Sequence, residues 1–225
     1  GDGYLNTPFG TGDEVRDLVV QPDGRILASG PSRYNFGDYL AMARYNTDGS
    51  LDTSFDQDGR RHTAVPSWSP DNGAGASISL QTDGRILTAA SGYLYRLNTD
   101  GSLDTGFSGY GLTTFGGLLK TILVQPDGSI VVGGTSSGLF ALGRFNSNGT
   151  RDNTFSGDGI VTTPFGPSID EAGGSALQTD GKMIVVGKSL RGFGIARYNA
   201  DGSPDLAFSQ DGRTVIDFGP AYHEA

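Results

Sequence analysis

The chain has no cysteine among its 225 residues. Disulfides, CxxC redox chemistry, thiolate metal sites and a cysteine nucleophile are therefore excluded. Histidine is nearly absent: His62 and His223 are the only two. A Ser-His-Asp arrangement would have to use His62, which stands among Arg60, Arg61 and Thr63. No HExxH, phosphate-binding glycine loop or nucleophile elbow occurs. Methionine and lysine are sparse, and no long window places apolar side chains at helical spacing. Apolar runs stop at about five residues, far short of the ~20 that span a bilayer, so no membrane insertion is expected. Basic residues are outnumbered, 16 against 25 acids, for a net charge of -9. Such a surface repels phosphate backbones, so nucleic acid is not an expected partner.

What is present is glycine, 37 residues of it, with abundant Asn, Asp, Ser and Thr. Short apolar runs between such residues read as many small strands of an all-β protein. The stretch Asn46-Thr47-Asp48-Gly49-Ser50-Leu51-Asp52-Thr53-Ser54-Phe55 returns at 98–107, 146–155 and 199–208. Each copy follows an apolar strand ending in Arg44, Arg96, Arg144 or Arg197. Upstream of each lies a second turn, Pro22-Asp23-Gly24 in the first copy and Thr82-Asp83-Gly84 in the next. Proline presets φ, aspartate suits the following position and glycine takes the left-handed one, which makes a tight hairpin. Four strands, A to D, in about 50 residues, repeated, are the signature of a propeller blade. The expected fold is all-β: a β-propeller of four repeats, each a four-stranded antiparallel blade. One repeat domain spans 1–225, with a D-type strand at 1–10 and units at 11–66, 67–116, 117–166 and 167–225.

The motif Val20-Gln21-Pro22-Asp23-Gly24-Arg25-Ile26-Leu27, followed by Ala43-Arg44-Tyr45-Asn46 through Phe55, resembles the delta-60 repeat. That bacterial tandem-repeat family is thought to build β-propellers in large, mostly secreted or surface proteins. The resemblance covers nearly the whole chain and implies an extracellular or cell-surface location. It implies no activity, since the family has no established shared catalytic residues. Asn148 replaces the turn aspartate in the third unit, and Arg151 and Pro204 stand where the first two carry Leu51 and Leu103.

The recurring residues read as scaffold. Phe55, Phe107, Phe155 and Phe208 suit the filling between sheets. Each strand-C arginine lies eight residues before an aspartate, Asp52, Asp104, Asp152 or Asp205. That spacing predicts a charge-assisted pair bracing the turn within each blade. Asn46, Asp48, Ser50 and Asp52 place oxygens at alternate positions, as calcium loops do. Calcium is the one cofactor they could take, although the turn itself needs no ion, and no metal or cofactor is assigned.

The connections that differ between units are the better functional candidates. In a four-stranded blade the A–B and C–D turns share one end, and the B–C and D–A connections share the other. The longest expected B–C loop is 31–39, and the longest D–A loop is 66–75. Together they carry Tyr34, Phe36, Tyr39, Trp68, Asp71 and Asn72. Aromatic faces beside amide and carboxylate groups suit sugars or peptide segments. The expected function is a non-catalytic binding or adhesion module of a secreted or surface bacterial protein, taking a glycan or protein ligand. A structural or assembly propeller is the alternative. A polysaccharide hydrolase or lyase is the third reading and needs two converging carboxylates. Gly1 is not a natural start, and the expected D-type strand at Tyr4–Phe9 is surplus in a four-bladed ring. Self-association or continuation in a longer parent chain follows as an expectation.

Overall fold

The computed structural model describes residues 4–34, 37–65, 77–166, 170–217 and 219. These residues form strands and turns with no helix. Two compact units divide the chain, Gly1–Thr113 and Thr114–Ala225. In the first unit, blade one orders β1 (Asp17–Val20), β2 (Ile26–Tyr34), β3 (Gly37–Tyr45) and β4 (Arg60–Ala64). Blade two follows with β5 (Ile78–Leu80), β6 (Ile86–Ala90), β7 (Tyr93–Leu97) and β8 (Leu112–Thr114). The second unit opens with blade three: β9 (Leu118–Val124), β10 (Ile130–Ser136), β11 (Leu139–Phe145) and β12 (Ile160–Thr163). Blade four has β13 (Glu171–Leu177), β14 (Met183–Ser189), β15 (Gly192–Tyr198) and β16 (Arg213–Ile216). Each sheet is a four-stranded meander in chain order, with its mapped pairings antiparallel. This is the blade of a β-propeller, as the repeat predicts.

Local chemistry sets the turns. The Gln21 amide donates to the Arg25 carbonyl at 2.7 Å, and Gly24 donates back to Gln21 at 2.9 Å. Asp48 Oδ1 accepts from both the Ser50 amide (2.9 Å) and hydroxyl (2.7 Å), closing the C–D turn on itself. The same two bonds recur at Ser102, Thr150 and Ser203, with Asn148 doing the work of aspartate in blade three.

Each unit buries its core between its two blades. Leu27, Met42 and Phe55 of blade one meet Ile78, Ile86 and Leu97 of blade two. Val131, Phe140 and Phe155 of blade three meet Met183, Val185 and Tyr198 of blade four. Alternation along the strands does this, since one side of each strand faces the partner blade of its unit and the other side points away from it.

Two expectations are corrected. Within the stretch 31–39, residues 31–34 and 37–39 are strand and not loop: β2 and β3 pair without a slip from Ile26↔Tyr45 to Tyr34↔Gly37. Pro31 reads as a breaker but is tolerated because β1 has already ended there. Its neighbour on the β1 side is the 11–16 segment, and it offers only its carbonyl, to the Glu14 amide at 3.2 Å. Second, Tyr4–Phe9 forms no strand. Each of the four sheets already has its own fourth strand, β4, β8, β12 or β16, so no blade is left for it to complete. The segment is pinned instead by Asp13 Oδ2, which accepts from the Phe9 and Gly10 amides at 2.9 Å each, and by the Thr11↔Arg33 bridge.

Candidate functional site

The repeated arginines are the first candidates to place, and they belong to the scaffold. Arg44, Arg96, Arg144 and Arg197 each donate from Nε to the expected aspartate, at 2.7, 2.8, 2.7 and 2.7 Å. Each guanidinium also lies over its own blade's phenylalanine, 4.6 to 4.9 Å from the ring centroid. The third contact is not visible in the sequence. Arg44 Nη1 donates to the Thr99 carbonyl in the next blade's turn, and Arg144 Nη1 to that of Ala200 at 2.6 Å. The pair therefore braces its own turn and latches it to the neighbouring one. A second cation joins from the A–B turn: Arg25, Arg85 and Lys182 lie 3.2, 3.2 and 3.0 Å from Asp52, Asp104 and Asp205.

These groups are spent on one another. Burial pushes the Asp52 carboxyl up, but the Ser54 hydroxyl and amide and the Arg44 charge hold it below the usual range. For Asp152 the Thr154 hydroxyl is the main lowering influence, ahead of Arg144. Such carboxylates stay ionised and are poor proton acceptors and poor metal ligands, because their oxygens are already donor-saturated.

The other end of blade one is different. Tyr39 stands half-buried on β3 and meets His62 of β4 edge-on, ring centroids 5.6 Å apart. Phe9 meets the same imidazole at 5.2 Å and 89°. The Asp13 carboxyl lies close enough for His62 to help hold it low. Burial raises that carboxyl, and the Gly10 and Phe9 amides and the Ser32 hydroxyl outweigh it. Next to this trio a cavity of about 200 Å³ opens, lined by Leu5, Phe9, Asp13, Glu14, Pro31 and Tyr45 among others. Its lining mixes apolar surface with carboxylate and carbonyl oxygen, which suits a small polar ligand with one apolar face.

Of the six residues expected at this end, the structure places Tyr39 in the trio and Tyr34 at the end of β2. Phe36, Trp68, Asp71 and Asn72 lie outside the described residues, as does the side chain of Tyr34. Phe9 and His62 are the additions. Phe9 had a signal, since Pro8-Phe9-Gly10 repeats as Pro164-Phe165-Gly166, and Phe165 likewise packs on a blade ring, Phe140, at 4.7 Å. His62 had none: its neighbours in sequence are basic, and its ring partners come from two other segments. Among the described residues no group of three or more His, Asp or Glu is placed to hold a metal.

The model of a family described as "Domain of unknown function (DUF5122) beta-propeller" matches residues 21–55, 81–107, 125–155 and 178–208. No curated protein matches the chain. Among solved structures, a protein of unknown function from Bacteroides caccae is 12% identical with a TM-score of 0.50, covering 92% of this chain and 73% of its own. A streptogramin B lyase is 17% identical with a TM-score of 0.53, over 90% of this chain and 54% of the lyase. Sqt1 from Chaetomium thermophilum is 13% identical with a TM-score of 0.53, over 92% of this chain and 48% of Sqt1. The chain thus spans about half the length of the last two. At these identities the likeness is one of fold.

Proposed function

Since the chain belongs to the DUF5122 beta-propeller family, we propose that it is a non-catalytic binding module that takes a glycan at the variable end of blade one. Its place is the outside of a bacterial cell, as the likeness to delta-60 repeats implies. One observation carries the reading. The repeated Arg–Asp–Phe set saturates its own polar groups in each blade, whereas Phe9, which shares the His62 ring with Tyr39, lines an open cavity on blade one. An aromatic ring stacks on the apolar face of a sugar, and nearby carboxylate and carbonyl oxygens accept from its hydroxyls. Trp68, Asp71 and Asn72 follow β4 directly in sequence and belong to the same reading.

A glycan array probed with the whole chain, followed by titration of any hit, tests this. Tyr39→Ala and Trp68→Ala should each weaken binding at least tenfold, about 1.4 kcal/mol. Absence of any glycan hit would sink the proposal, and so would variants that bind as well as the parent. Capture of peptides in place of glycans would keep the site but reject the ligand class.

A further inference from the structure

The two blade pairs show what each side of a blade is for, and among the described residues two sides keep apolar side chains exposed. Phe140 faces the later blade from β11, four residues before Arg144, and is fully buried against blade four. Phe193 holds the same position on β15, four residues before Arg197, and is 58% exposed. Gly133 of β10 lies against Ser175 of blade four, whereas its counterpart Val186 on β14 is 39% exposed. Together with Ile195, Gly174 and Gly187, these residues line an open cavity of about 410 Å³ on blade four that is almost wholly apolar.

Blade one shows the opposite lack. Ile86 and Met183 face the earlier blade, directly after the A–B turn, and both are fully buried. Ile26, in the same place on β2, is 36% exposed, and Leu18 and Val20 beside it on β1 are each 58% exposed. Contiguous apolar surface of this kind on strand after strand marks an interaction face rather than scattered exposure.

We propose that a second copy of this chain docks the earlier-facing side of its blade one, through Leu18, Val20 and Ile26, onto the later-facing side of blade four, through Val186, Phe193 and Ile195. The occupant is fixed by the molecule's own repetition. Within each unit the same positions are already covered by the same positions of the next blade. The contact is head-to-tail, so each copy offers one face of each kind. The outer place on blade one is claimed twice, by Tyr4–Thr7 of one copy and β16 of the other. Tyr4–Thr7 makes no strand pairing and yields; because Leu5, Asn6 and Thr7 line the blade-one cavity, docking of the second copy and a ligand in that cavity exclude one another.

Sedimentation and light scattering of the whole chain test the proposal. At about 1 to 100 μM, where even weak interfaces of ordinary size associate, the mass should be at least twice that of one chain. Phe193→Asp and Ile26→Asp should each give a monomer with an unchanged far-UV spectrum, because both side chains are exposed in the single chain. Mixed together, the two variants should associate one to one, since each keeps the face the other lacks. A chain starting at Pro8 should associate at least as tightly as the parent. A parent that stays monomeric overturns the proposal. So does a mixture that stays monomeric, or a truncated chain that no longer associates.

Discussion

Asp52 receives two cations and two hydrogen bonds: Arg44 and Arg25 at Oδ2, the Ser54 amide and hydroxyl at Oδ1. Its folded carboxyl therefore titrates below its unfolded counterpart, as does that of Asp152. The unfolded chain then binds more protons in acid. The stabilisation is complete above the unfolded value, near pH 4, and is lost as pH falls through the folded one. Urea unfolding followed from neutral pH into acid should show stability steady at first and then falling steeply below about pH 4. Asp52→Asn should be less stable at neutral pH and should show a shallower acid slope. Equal slopes in the two proteins would remove Asp52 from the account. The pairing itself was legible, because Arg and Asp recur eight residues apart in every copy. The latch from Arg44 to Thr99 was not, because its partner is a backbone carbonyl 55 residues away.

Among the elements, the turns were the most readable and the hairpin of blade one the least. Asp-Gly and Asn-Gly pairs dictate backbone geometry by themselves, whereas Gly30 and Pro31 signal a break that β2 overrides. A turn glycine here can also answer to a distant ring. Gly101 has φ of 88°, and a Cβ there would come within 2.8 Å of the Phe55 ring. Gly128 has φ of 85° in an A–B turn, and its nearest neighbour would be the Ser147 Cβ at 3.7 Å. Alanine at Gly128 should therefore cost about 1 to 2 kcal/mol, the left-handed penalty alone. Alanine at Gly101 should cost a further 1 to 3 kcal/mol, roughly, because a tightly packed ring must move. Denaturant midpoints for the two variants check this, and equal losses would show that Phe55 gives way freely.

At the level of the whole molecule, repetition made the fold readable, but it also hid which faces are covered. Phe155 and Phe208 close the same motif, each beneath its own arginine, at 4.9 and 4.8 Å. Nothing in their sequence context separates them. What separates them is cover: Phe155 is fully buried with Gly202 of blade four against its ring, whereas Phe208 is only half-buried. The same substitution should then have unequal effects in the dilute single chain. Phe155→Ala empties a filled core site and should cost about 3 to 5 kcal/mol. Phe208→Ala removes a ring that water already reaches and should cost roughly 1 kcal/mol. Raising the protein concentration should widen the cost of Phe208→Ala, because a second copy seated on blade four completes the burial that Phe155 already has. The cost of Phe155→Ala should stay constant over the same range. Unfolding curves for both variants at low and high concentration read this out. If both losses stay fixed as concentration rises, Phe208 is not part of a covered face.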